Sequence, residues 1–195
     1  MNRFDTEITL WLNGLVGDWG PLDWTVRILA GDYLIPPLFA LVIIGTIFAG
    51  STPEQRHEWQ RAAFRGVMAI ALSNWAIFIL NGVWDRARPY IALPDDVNLL
   101  FYPATDPSFP ANPTAVGFAV AGALWRVSPR LRYSLMALGL IVGFARVYVG
   151  VFYATDVIGA AALGFALAYI AGWIYRVFDP ALNLALRVAR AFAFA

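Results

Sequence analysis

Apolar residues run nearly unbroken through much of this chain, and the polar interruptions fall where membrane-crossing helices would begin and end. A hydrocarbon layer about 30 Å thick takes about 20 helical residues. Five stretches fit or approach that length: Tyr33 to Ala49, Ala62 to Trp84, Thr114 to Val127, Leu131 to Val149 and Val157 to Val177. The third is short, which suits a helix whose outer end is buried in protein rather than lipid. Ahead of them, "FDTEITLWLNGLVGDWGPLDWTVRILAG" sets leucines and tryptophans at helical spacing among acids, and this predicts amphipathic helices lying at the interface. "DPALNLALRVARAFAFA" predicts the same at the other end. The expectation is an all-α integral membrane protein of one domain over 1–195, with interfacial helices at 1–32, a transmembrane bundle at 33–177 and an interfacial helix at 178–195.

Composition strengthens this picture. Hydrophobic residues make up 60% of the chain, charged residues only 14%, and the mean hydropathy is +0.63, all outside the usual soluble range. A net charge of +1 gives no electrostatic reason to expect a nucleic-acid partner. There is no cysteine, which excludes disulfides and thiolate metal sites, and the 14 cationic side chains are all arginine. No cluster of histidine, cysteine or several carboxylates converges in the sequence, so neither a metal nor a cofactor is expected. The N-terminus lacks the basic-then-apolar pattern of a cleavable signal peptide, and the first crossing helix is expected to direct insertion and stay.

Arginine placement predicts orientation, because cytoplasmic loops carry the basic excess. Arg56, Arg61 and Arg65 flank the first connection, Arg126, Arg130 and Arg132 crowd the "RVSPRLR" turn, and Arg176, Arg187 and Arg190 follow the last crossing. All fall on one side, which places the C-terminus in the cytoplasm of a cell-membrane protein. The other side takes the N-terminal acids and the long loop from Asp85 to Asn112. Within the bundle, Ala160, Gly164, Ala168 and Gly172 recur at four-residue spacing, as do Ala115, Ala119 and Ala123, and these stripes read as helix-packing faces.

Three polar segments meet on the extracytoplasmic side: "NGVWDRARPY", "SFPANPTA" and "ARVYVGVFYATD". Ionisable residues near membrane helix ends are costly unless paired or functional, so Arg88, Arg146 and Asp156 are expected to project toward one site. Asp85 and Arg86 read as a surface pair. The three segments resemble, in order and sidedness, the signatures of the type 2 phosphatidic acid phosphatase (PAP2) superfamily, above all its undecaprenyl-diphosphate phosphatase branch. That family reads Lys-x6-Arg-Pro, Pro-Ser-Gly-His and Ser-Arg-x5-His-x3-Asp. Arg88-Pro89 fits the end of the first, Asn112 stands at the glycine of the second, and "ARVYVGVFYATD" is similar to the third over nearly its whole length.

The resemblance implies a helical bundle in which the third signature's histidine attacks phosphorus, the aspartate orients it and the second signature's histidine protonates the leaving oxygen. At those positions this chain has Phe152, Asp156 and Pro113, with Asn81 at the lysine, Ala111 and Ala145 at the serines. Neither phenylalanine nor proline has a side-chain atom that attacks phosphorus or donates a proton. The lone histidine, His57, falls on the opposite side of the bilayer. Tyr148, Tyr153, Thr114 and Asp156 remain as other candidate nucleophiles, and a phenol near its ordinary pKa of about 10 is a poor one at neutral pH. Pro113 suits the first turn of the third crossing helix.

The expectation is therefore a protein that is not an enzyme, acting as an accessory subunit alongside other membrane proteins or as a binder of an anionic or polyprenyl-phosphate lipid. A phosphatase with a non-histidine nucleophile and a lipid or anion translocator stand as alternatives. For Arg88 and Arg146 two readings stay open. In one they hold a lipid headgroup through their planar forks. In the other, which is preferred, Asp156 pairs with one or both and neutralises buried charge.

Overall fold

The computed structural model describes residues 3–193, with side chains through residue 178. The chain forms α1 (Arg3–Asn13), α2 (Gly20–Ala30), α3 (Ile35–Ile47), α4 (Pro53–Val83), the short α5 (Pro89–Ala92), α6 (Asn112–Ala123), α7 (Pro129–Tyr148) and α8 (Ala154–Ala193). Local sequence fixes several of the starts. Thr52 accepts a hydrogen bond from the Gln55 N–H at 3.3 Å, with Pro53 next in line, and Ser128 accepts one from Leu131 at 3.3 Å ahead of Pro129. A side-chain oxygen at the N-cap and a proline just inside it satisfy or remove N–H groups that lack helical partners. Pro113 does the same for α6.

Helices α4, α7 and α8, the last over Ala154–Phe178, are long and apolar enough to cross a membrane. Helices α2 and α3 meet at a 51° bend and add a fourth span if they form one broken crossing. Five crossings were expected, and the difference lies in α3 and α6. With 13 and 12 residues they rise only about 20 Å and 18 Å. Helix α6 is instead the hub of the bundle, packed against α4, α7 and α8, and most of its residues from Pro113 to Ala123 are buried. A short helix is tolerated there because protein covers it.

The small-residue stripes make that burial possible. A Cβ on Gly164 would lie 2.2 Å from the Ala115 carbonyl oxygen, and one on Gly122 would lie 2.5 Å from the Ala168 Cβ. Backbones of α6 and α8 therefore touch, as small-residue faces allow. At Gly172 a Cβ would meet nothing within 4 Å, so the packing stripe ends before it.

The N-terminal segment departs from a simple interfacial helix. Asp5, Thr9 and Asn13 of α1 are buried, while Trp11 is 70% exposed. Asn13 explains the inversion: its Nδ2 donates to the Asn98 and Tyr148 carbonyls at 2.9 and 2.8 Å, and its Oδ1 accepts from the Asn98 N–H at 2.7 Å. The polar side of α1 thus ties the long outer loop to the end of α7. At the other end, α8 runs on without a break to Ala193. Side chains of the expected interfacial segment beyond residue 178 lie outside the described residues.

Candidate functional site

The site is assembled at the bundle end where α4 and α7 finish and α8 begins. Helix α7 stops at Tyr148, and Gly150 follows with φ +85°, where a Cβ would crowd Val97 at 2.7 Å. Only glycine turns the chain there without strain. The turn brings Val151, Phe152 and Tyr153 back over the core, all buried. Two loops lie alongside, joined by the Ser108 N–H donating to the Arg86 carbonyl at 2.9 Å and the Ala111 N–H to the Asp156 carbonyl at 3.3 Å. The three segments singled out in the sequence do meet.

Arg88 is 2% exposed and fully engaged. Its Nε donates to the Asp106 carbonyl at 2.8 Å, its Nη1 to the Val151 carbonyl at 3.0 Å, and its Nη2 pairs with the Asp106 carboxylate at 2.9 Å. Arg146 donates from Nε to the Ala30 carbonyl at 2.9 Å and pairs with Asp32. Both guanidinium groups address the Phe152 ring, at 4.6 and 5.9 Å from its centroid. A cation over an aromatic face is stabilised by the ring quadrupole. Arg88 and Arg146 therefore converge, as expected, but around a phenyl ring.

Asp156 pairs with neither of them, which corrects the preferred reading of the three charges. Its carboxylate takes an ion pair from Arg86 and accepts the Tyr153 N–H at 2.8 Å. Arg86 is likewise no surface residue. Its Nη2 reaches Asp5 at 2.7 Å, its Nη1 donates to the Thr155 hydroxyl at 3.0 Å, and its guanidinium lies 4.3 Å from the Tyr153 ring centroid. One arginine thus bridges two buried carboxylates from opposite ends of the sequence. The Thr155 hydroxyl donates to Asp5 at 2.6 Å, and the Thr155 N–H donates to the other Asp5 oxygen at 3.0 Å. Burial alone would push the Asp5 carboxyl up; the two Thr155 hydrogen bonds and Arg86 outweigh it and hold the group below the usual carboxylate range.

Thr155 was not singled out in the sequence, and Asp5 and Asp32 are the acids that sequence reasoning missed. Their signal was present as acids inside an otherwise apolar N-terminal segment, but the partners lie 81 and 114 residues away.

The remaining candidates separate by geometry. Thr114 donates to the Gly139 carbonyl at 3.2 Å inside the α6 to α7 contact, and Tyr148 donates toward Asp23 at 2.7 Å on α2. Both are structural. Pro113 is buried in the first turn of α6, and the Asn81 side-chain oxygen is buried with no hydrogen-bond partner among the described residues. His57 sits in α4, about 39 Å of helix from Val83. Among the described residues no group of three or more His, Cys, Asp or Glu side chains is placed to hold a metal ion.

A cavity of about 610 Å³ opens beside this network, lined by Trp84, Asp85, Arg86, Phe109, Tyr153 and Thr155. Its lining residues include one arginine, one aspartate and two hydroxyl-bearing side chains. Burial pushes the Tyr153 phenol up, with Arg86 opposing and Asp156 and Asp5 adding to the rise, so that hydroxyl stays protonated at neutral pH. Thr155 is half-buried, with its proton directed at a carboxylate.

Comparison with known proteins fits this architecture. Residues 62–180 match the model of the PAP2 superfamily. The chain is 24% identical over 185 residues, 95% of its length and 91% of the relative's, to an undecaprenyl-diphosphatase, BcrC, of Bacillus subtilis. It is 28% identical over 107 residues to a protein named bacitracin transport permease protein BcrC from Bacillus licheniformis, spanning 52% of that protein. Among solved structures, Aquifex aeolicus LpxE superposes with a TM-score of 0.67 at 25% identity, covering 87% of this chain and 95% of that one. A PAP2 type phosphatidylglycerolphosphate phosphatase from Bacillus subtilis shares the fold, with a TM-score of 0.63 at 20% identity and coverage of 88% and 84%.

These findings overturn the expectation that the protein is not an enzyme. The relative aligned over nearly the whole chain is a diphosphatase, and substitutions at the two histidine positions and three other motif positions do not establish inactivity. The accessory-subunit reading rested on catalytic silence and falls with it.

Proposed function

Because the chain belongs to the PAP2 superfamily, we propose that this membrane protein is a lipid-diphosphate phosphatase that works at the Arg86 cavity through a nucleophile other than imidazole. The observation that carries the reading is Thr155: the residue lines the cavity, and its hydroxyl donates to Asp5 at 2.6 Å and accepts from Arg86 at 3.0 Å. Phosphoryl transfer asks for a positioned nucleophile and cations on the transferred oxygens, and for little covalent assistance beyond that. The Thr155 oxygen attacks the terminal phosphorus, its proton passes to Asp5, and Arg86 holds the phosphoryl oxygens. The bond to the bridging oxygen breaks, and the lipid monophosphate leaves. Water then releases phosphate from Thr155.

A diphosphate is the substrate class that suits a site with proline at the acid position. Its leaving group is a phosphate, stable as an anion at neutral pH, whereas a monoester would expel an alkoxide that needs a proton. The arginine distribution supports an extracytoplasmic placement of the site.

The test is phosphate release from undecaprenyl diphosphate by the purified protein. Thr155→Val is expected to lower the rate by roughly a hundredfold or more, as loss of an essential nucleophile does, with Thr155→Ser retaining most of it. Absence of release above a detergent blank by the unmodified protein, or full activity of Thr155→Val, overturns the reading.

A further inference from the structure

At the opposite end of the bundle from Arg86, four arginines gather where the proposed reaction has no use for them. A cavity of about 460 Å³ lies between α6 and α8, with Arg65, Arg126 and Arg176 at its mouth. A second of about 330 Å³ adjoins it and shares those three, adding Arg61 and one carboxylate, Glu58. Arg65 is half-buried and donates from Nε to the Arg61 carbonyl at 3.3 Å. Arg126 and Arg176 are exposed and have no ion pair among the described residues. Like charges gathered on one rim repel unless an anion joins them, and the repulsion grows as the surroundings become less like water.

The rest of the larger cavity is mostly apolar, with Tyr169 among its lining residues. Phe165, Ala168 and Gly172 of α8 line it, and Phe165 lies about 16 Å along the helix from Arg176. The groove therefore runs from a cationic mouth toward the middle of the bilayer. Trp125 and Trp173 stand at the rim, 46% and 61% exposed, the position tryptophan takes at a membrane interface. Gly172 keeps the groove open, since no atom lies within 4 Å of where its Cβ would be.

We propose that this groove binds an anionic phospholipid, with the phosphate held by Arg65, Arg126 and Arg176 and an acyl chain lying along Phe165 to Gly172. Basic pockets between membrane helices on the cytoplasmic side suit such headgroups, and arginine forks match phosphate oxygens. A free phosphate would use the same arginines but leave the apolar length of the groove unfilled. The site is separate from the Arg86 cavity and does not depend on turnover there.

The experiment uses the full chain in neutral detergent, titrated with dioleoylphosphatidylglycerol, dioleoylphosphatidylcholine or inorganic phosphate, and read by native mass spectrometry and thermal unfolding. Phosphatidylglycerol is expected to be retained and to raise the unfolding temperature by several degrees, with little effect from the other two. Arg126→Gln with Arg176→Gln should weaken retention at least tenfold. Gly172→Leu, which fills the groove without a backbone clash, should do the same while unfolding near the wild-type temperature. Equal retention of the two lipids, wild-type retention by both variants, or an equal shift from inorganic phosphate alone overturns the proposal. Since the readout is binding, the result stands apart from that of the phosphate-release assay.

Discussion

Arg88 holds its guanidinium over the Phe152 ring, 4.6 Å from the centroid, with both side chains almost fully buried. The N–H groups of that arginine go to main-chain oxygens and to Asp106. Phe152 thus acts as the packing partner of a cation in the place where the family motif sets a histidine. The cation that lines the cavity is Arg86, two residues earlier in the same loop.

Phe152→Ala is expected to lower stability by about 3 to 5 kcal/mol, the range for emptying a large aromatic site. Phe152→Leu keeps most of the volume and loses the ring face, and should cost about 1 to 2 kcal/mol. Reversible denaturation in detergent measures both. Equal losses for the two variants would remove the packing account.

Arg86→Met leaves Asp5 and Asp156 buried without their shared cation. Breaking a buried pair by removing one partner typically costs about 3 to 5 kcal/mol. Adding Asp5→Asn to that variant should restore part of the loss. If the double variant is no more stable than Arg86→Met alone, the two carboxylates are not coupled through Arg86.

Acid should unfold the N-terminal staple in a defined window. The folded-state pKa of Asp5 lies below its ordinary value, which is about 3.9. Its contribution is therefore fully present above that value and is lost as pH falls through the depressed folded value. Arg86 and Thr155 contact the Asp5 carboxylate, and Asp156 shares the same arginine. Stability measured from pH 6 down to pH 2 should fall more shallowly in Asp5→Asn than in the parent. Superimposable slopes would show that Asp5 is not linked to folding.

Two glycines on one helix face should respond in opposite ways. Gly164→Ala drives a Cβ to within 2.2 Å of the Ala115 carbonyl and should cost about 1 to 3 kcal/mol through overpacking. Gly172→Ala enters open space and should be neutral or slightly stabilising, since alanine is the better helix former. Thermal unfolding of the pair decides it, and a shared loss would mean that the stripe packs along its whole length.

The amino-acid order by itself determined that the protein is helical and membrane-embedded, that three polar segments belong together, and that Pro113 opens a helix. These are local matters: hydrophobic runs, caps and proline act within a few residues of themselves. Only the tertiary structure decided which charges neutralise which. Asp156 takes Arg86 rather than Arg88 or Arg146, and Arg146 takes Asp32. It also decided that α1 turns polar residues inward and that the small-residue stripe opens at Gly172. Partners of a buried ion are chosen by whichever opposite charge the packed bundle brings within a few ångströms, and residues 70 to 150 positions apart carry no mark in a linear sequence that they will meet.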